Sequence, residues 1–186
     1  MAFDLDDTLY SEKDYVRSGY QKVANLFPQI DRMSDKLWEV FERRGNAIDE
    51  VLKSENLLRY KETALQAYRL QNPDIQLYVG VPEMLNRIKQ QGKKIGIITD
   101  GRPEGQRAKI QALGLLIDEV IITDELGGVE FRKPCDIAFR LMRRRMNTPF
   151  ERIAYIGDNP EKDFNAPEKL GMKCIYFRNT DGLYSK

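Results

Sequence analysis

Four short stretches hold most of the residues able to do chemistry: Asp4-Leu5-Asp6-Asp7-Thr8, Thr99-Asp100, Lys133-Pro134, and Asp158-Asn159-Pro160-Glu161-Lys162-Asp163. Together they supply carboxylates, a hydroxyl and an amine. The 186-residue chain contains no histidine, which excludes a Ser-His-Asp or Cys-His nucleophile and every His-containing metal site. The remaining set suits phosphoryl transfer to a carboxylate nucleophile. Crowded carboxylates repel one another unless a cation sits among them, and all-oxygen ligation favours Mg²⁺. An ammonium group balances further phosphate charge, and a hydroxyl with nearby backbone N–H groups can hold phosphoryl oxygens. A second carboxylic acid two residues from the nucleophile can protonate the leaving oxygen and later deprotonate water.

Such groups work only if the fold gathers them. From Val79 onward, helical and strand patterns alternate. Pro82 opens a helix that Gly92 closes, and 94–99 is a short, nearly continuous apolar run, as a buried parallel strand requires. A helix over 104–113, a strand over 119–123, a helix over 136–146 and a strand over 152–157 follow, then a helix ending at Gly171 and a last strand over 173–177. This alternation predicts an α/β fold, a doubly wound parallel sheet, in which reactive groups collect at the carboxyl ends of the strands. Each chemical stretch lies at such an exit.

The segment from Ser11 to Pro73 has a different texture. Val16, Tyr20, Val23, Phe27 and Ile30 recur at helical intervals after a capping signal at Ser11. Leu37, Phe41, Ile48, Val51 and Leu52 predict a second helix, irregular at Gly45. Ser54 is the expected cap of a third, through Leu58, Leu65 and Tyr68 to Asn72-Pro73. The expected division is a catalytic core of residues 1–11 and 78–186 with a helical insertion over 12–77.

Composition narrows the setting. The chain is 41% hydrophobic and 32% charged, enough apolar content for a core. Lys+Arg 30 against Asp+Glu 29 leaves a formal net charge of +1, which argues against a nucleic-acid binder working by phosphate neutralisation. Cys135 and Cys174 form no CxxC pair and fit reduced thiols of a cytoplasmic protein. No apolar run is long enough to span a membrane, and the first residues show no signal-peptide pattern.

The stretches, in this order, resemble the motifs of the haloacid dehalogenase-like hydrolases, most of them phosphatases, over nearly the whole chain. The resemblance implies a Rossmann-like core with a helical cap inserted after the first motif. It implies that Asp4 is the nucleophile that becomes aspartyl-phosphate and Asp6 the general acid/base. Thr99 would bind the phosphate through its hydroxyl, with Asp100 as a further substrate-binding candidate. Lys133 would serve both catalysis and substrate binding. Asp4, the Asp6 backbone carbonyl, Asp158 and Asp163 would hold Mg²⁺. Asp6 also separates the phosphatase branch from dehalogenases, which generally lack that acid. The expected partner is a small phosphorylated metabolite, of the nucleotide or sugar phosphate class, with no nucleic acid and no membrane.

One departure stands out: Asp4 follows only three residues, whereas strands usually run about 5–6. Other readings remain. A receiver-like signalling domain also uses a phosphorylated Asp, a metal, a hydroxyl and a lysine, but its acidic pair precedes the phosphorylated strand. A phosphomutase would use the same intermediate. Asp7 reads as structural, and Asp100 and Asn159 as either substrate contacts or local turn bonds. Tyr10 lies where the insertion hinges, with a substrate contact as one option. Arg143-Arg144-Arg145 reads as a solvated helix face.

Overall fold

The computed structural model describes residues 1–183. The chain divides into two compact units: Met1–Glu12 together with the segment from Gln76 onward, and Lys13–Ile75.

In chain order the elements begin with β1 (Ala2–Phe3), α1 (Glu12–Ala24), α2 (Met33–Glu42), α3 (Ala47–Ser54) and α4 (Lys61–Arg69). They continue with α5 (Val81–Gln90), β2 (Gly96–Thr99), α6 (Pro103–Ala112), β3 (Glu119–Ile122) and α7 (Ile137–Met146). Last come β4 (Ala154–Gly157), α8 (Pro160–Asp163), α9 (Asn165–Lys169) and β5 (Lys173–Tyr176).

The strands form one parallel sheet in the order β3-β2-β1-β4-β5. The chain winds outward from β1 through β2 to β3, then crosses back to β4 and β5. With right-handed crossovers, that reversal puts helices on opposite faces, and the crevice between β1 and β4 is the topological switch point. β1 is only two residues long but central. It pairs Ala2 with Gly96 and Tyr155, and Phe3 with Ile97 and Ile156. Its pairing extends at both ends, because Gly96 N–H donates to Met1 O and Asp4 N–H to Ile156 O, each at 2.8 Å. Flanked on both sides, β1 is wholly buried, which suits its short apolar sequence.

One face of the sheet is covered by α7, whose Phe139, Met142 and Met146 pack with Ala2, Ile98, Ile121 and Tyr155. The spacing of these α7 residues, three and four apart, is that of one helical face. Arg143, Arg144 and Arg145 lie on the opposite face and are exposed.

The Lys13–Ile75 unit has its own core, with Val16, Tyr20, Val23, Leu37, Val40, Ile48, Leu52 and Ala64 buried. Two sequence expectations need correction here. The helix predicted across Leu37 to Leu52 is two helices, α2 and α3. Arg44 takes a left-handed conformation (φ 61°), and the Arg44 and Gly45 N–H groups close the end of α2 on Phe41 O and Val40 O. Ser54 does not cap a third helix. It is the last residue of α3, and its hydroxyl donates to Val51 O at 2.9 Å. Asn56, also left-handed (φ 59°), ends that turn, and a 3₁₀ turn over Leu58–Tyr60 leads into α4. Among the described residues, no helix is long and apolar enough to cross a membrane.

Candidate active site

The loops leaving the carboxyl ends of β1, β2 and β4 carry Asp4, Asp100 and Asp158. The loop before α7 brings in Lys133, next to a cis peptide bond with Pro134. The Lys133 ammonium is buried and donates to Asp4 Oδ1 at 2.6 Å, to Asp163 Oδ1 at 2.7 Å and to the Tyr155 hydroxyl at 3.2 Å. Burial alone would lower the lysine's pKa. Asp4, Tyr155 and Asp163 outweigh it, so Lys133 stays charged well above its ordinary range.

The carboxylates show the opposite imbalance. Burial pushes the Asp4 carboxyl well above its usual value, Lys133 opposes this, and the charges of Asp163 and Asp6 add to the upward push. Asp158 is pushed up to about 6, chiefly by burial and then by Asp163 and Asp7. Its Oδ1 accepts from the Thr8 hydroxyl at 3.2 Å. Asp4, Asp158 and Asp163 each offer an oxygen within 4.8 Å of the others. Two of these three carboxylates, Asp4 and Asp163, share the Lys133 ammonium. An all-oxygen donor set with surplus negative charge fits a hard divalent cation.

Asp163 depends on a glycine. A Cβ at Gly157 would lie 2.3 Å from Asp163 Oδ2, the oxygen that accepts the Asn159 N–H at 3.0 Å. Gly157→Ala is therefore expected to push Asp163 off Lys133. The expected loss is about 1–3 kcal/mol of stability, together with a fall in activity. Urea unfolding and a phosphatase assay on the same preparation would check both.

Asp6 is held differently. Its Oδ1 accepts from the Tyr10 hydroxyl and from Lys109 Nζ at 2.6 Å, and its Oδ2 accepts from Gln106 Nε2 at 2.8 Å. Burial would raise its pKa. Lys109, Tyr10 and Gln106 more than offset that and keep the carboxyl ionised below its ordinary value. Tyr10 is fully buried and holds Asp6, which accounts for an aromatic residue at that position without a substrate contact.

The remaining sequence candidates separate into two groups. The Thr99 hydroxyl, at the end of β2, is buried and accepts from Gln106 Nε2. Asp100 is engaged locally: its Oδ1 accepts from the Thr123 hydroxyl at 2.9 Å and from Lys133 N–H at 3.0 Å. It ties the Lys133 loop to the ends of β2 and β3. Asn159 caps α8, accepting the Glu161 N–H at 3.2 Å. Asp7 takes a left-handed conformation (φ 53°), and its carboxylate accepts from Glu12 N–H and Leu183 N–H.

Sequence reasoning missed Gln106, Lys109 and Tyr155. Each left a signal. Tyr155 is the polar member of an apolar strand. Gln106 and Lys109 lie three apart on α6, so they share one face, and that face is the buried one.

A parallel sheet whose carboxyl edge gathers carboxylates and a buried lysine at the switch point defines an α/β enzyme built to handle anionic substrates. The chain belongs to the haloacid dehalogenase-like hydrolases, whose family model matches residues 1–177. It is a phosphatase of that family. It is 27% identical over 192 residues to the glyceraldehyde 3-phosphate phosphatase of Methanocaldococcus jannaschii, covering 94% of this chain and 82% of that one. The fold matches a putative hydrolase of this family, YfnB from Bacillus subtilis, solved bound to magnesium. Its TM-score is 0.68 at 18% identity, over 97% of this chain and 86% of that one. A phosphatase of the family from Thermococcus onnurineus gives a TM-score of 0.61 at 24% identity, over 98% and 88%. A receiver-like signalling domain is thereby set aside.

Proposed function

We propose that the chain is a Mg²⁺-dependent phosphatase that hydrolyses a small phosphate monoester through an aspartyl-phosphate on Asp4. The observation that carries this reading is the pairing of Asp4 with the buried Lys133 at the switch point, with Asp6 two residues away and separately anchored. In the first step an Asp4 oxygen attacks phosphorus in line, the bond to the leaving oxygen breaks, and that oxygen takes a proton from Asp6, which must enter this step protonated rather than in the ionised state that Lys109 favours in the free protein. In the second, water attacks the phosphorus, Asp6 takes its proton, and the Asp4 carboxylate leaves with inorganic phosphate as product. Lys133 and the Thr99 hydroxyl hold phosphoryl oxygens, and Asp100 positions the Lys133 loop. Asp4, Asp158, Asp163 and the Asp6 main-chain carbonyl would hold Mg²⁺. The ion would neutralise phosphate charge so that an anionic nucleophile can approach.

A sugar phosphate is the substrate class we favour, with nucleotides second. The triose phosphate named for the archaeal relative supports that order. The Lys13–Ile75 unit acts, in this reading, as a cap that selects the ester's organic part and does no chemistry. The half-buried free thiols Cys135 and Cys174 fit a reducing, cytoplasmic setting.

A panel of phosphorylated metabolites, assayed for phosphate release with Mg²⁺, tests the proposal. Excess chelator should abolish release and added Mg²⁺ restore it, while Ca²⁺ should support it poorly because its coordination is larger and looser. Undiminished activity in chelator would remove the metal from the mechanism. Conversion of a sugar phosphate to its isomer without phosphate release would point to a mutase instead.

A further inference from the structure

We propose that Lys109 and Gln106, which lie outside all four motifs, are positioning residues that hold Asp6 and Thr99 for hydrolysis of the phosphoenzyme. The inference rests on the phosphatase mechanism just described.

An amphipathic helix normally turns apolar side chains inward. α6 turns in Gln106 and Lys109, which are 3% and 5% exposed. Burying a lysine and an amide is costly unless they find partners, and both find groups of the mechanism. Lys109 Nζ holds Asp6 Oδ1 at 2.6 Å, and Gln106 Nε2 holds Asp6 Oδ2 at 2.8 Å. Both carboxylate oxygens are thus fixed from one helix face, with the Tyr10 hydroxyl on Oδ1 as a third support.

Gln106 does a second job. Its two amide protons are shared among three acceptors: Asp6 Oδ2, Thr99 Oγ1 and, at 3.0 Å, Asp100 O. A threonine oxygen that accepts from Gln106 keeps its own proton to donate. The amide therefore turns the Thr99 hydroxyl into a donor, the role needed toward a phosphoryl oxygen.

These contacts matter most in the second step. Water must be deprotonated as it attacks, and the base must stand within hydrogen-bond reach of it. A misplacement of about 1 Å can cost ~10²-fold. Departure of nitrophenolate needs no proton, so the first step with an aryl ester is insensitive to how Asp6 is held. Losing Lys109 should therefore slow hydrolysis of the phosphoenzyme while leaving its formation largely intact.

The test is rapid mixing of Lys109→Met with p-nitrophenyl phosphate and Mg²⁺, following nitrophenolate. We expect a burst near one equivalent per enzyme, then a steady rate ~10²-fold below that of the unmodified protein. Burst and steady rates falling by the same factor would show a packing role only, and unchanged kinetics would show no role; either overturns the proposal. Lys109→Leu, which likewise removes the donor, gives the same reading if Lys109→Met does not fold. For the Thr99 contact, Gln106→Leu should weaken inhibition by inorganic phosphate about 5–10-fold, the worth of one hydrogen bond. Unchanged inhibition would refute that half. Failure of the unmodified protein to release nitrophenolate at all would instead sink the phosphatase mechanism itself.

Discussion

Asp4→Asn should lower phosphate release by roughly 10⁴–10⁶-fold, the range for removing one member of a nucleophilic catalytic unit. The amide oxygen is a far weaker nucleophile than a carboxylate oxygen and cannot form the acyl phosphate. The fold should survive. Lys133 would keep Asp163 at 2.7 Å and the Tyr155 hydroxyl at 3.2 Å, so no buried charge is stranded. Acid-quenching the unmodified protein during turnover should trap a phosphoryl group on the chain, and the variant should trap none. Full activity in the variant would eliminate Asp4 as the attacking group.

Lys133→Met should be the most destabilising single change at the site. Methionine fills the space of the lysine stem but removes the ammonium that, among the described residues, reaches both Asp4 and Asp163, both buried. Breaking a buried pair in this way typically costs about 3–5 kcal/mol. The pH dependence has a definite sign. Burial already raises the Asp4 carboxyl above its unfolded value, and removing Lys133 takes away the main influence opposing that push. A group whose folded pKa is raised stabilises the fold below its unfolded pKa and loses that contribution as pH rises through the folded value. The stability gap between the two proteins should therefore be wider at pH 8 than at pH 5.5. Urea unfolding at the two values checks this, and a gap independent of pH would show that Asp4 is not the stranded group.

The sheet was legible because parallel strands buried on both faces read as apolar runs, as at Ile95 to Thr99 and Ile153 to Gly157. β1 is the exception. At two residues it has no pattern of its own, and it is found through the Asp4-Leu5-Asp6 exit that follows it. The structure gathers Asp4, Lys133, Asp158 and Asp163 as their places at successive strand exits predict. The roles of Gln106 and Lys109 were hidden, because which face of α6 turns inward is fixed by packing against the sheet; that of Tyr155 was hidden because an aromatic residue in an apolar strand reads first as core. Asp100 illustrates another limit: a carboxylate at a strand exit reads the same whether it serves a ligand or, as here, a neighbouring loop. The break at Arg44-Gly45 was seen only as an irregularity, since apolar spacing runs on across it while the backbone does not.

The two-residue β1 also sets when the enzyme comes into being during its synthesis. The partners of the exit that follows it are remote: Lys133 lies 129 residues beyond Asp4, and Asp158 lies 150 beyond Thr8. The Lys13–Ile75 unit is one contiguous segment, made before β2 to β4. At ~5–20 residues per second, β4 emerges on the order of ten seconds later. Until then β1 has at most one flank, and Asp4 has neither Asp158 nor Asp163 beside it. A partly made chain thus carries an aspartate without its partners, and the site can assemble only once β4 and α8 have followed β1 out.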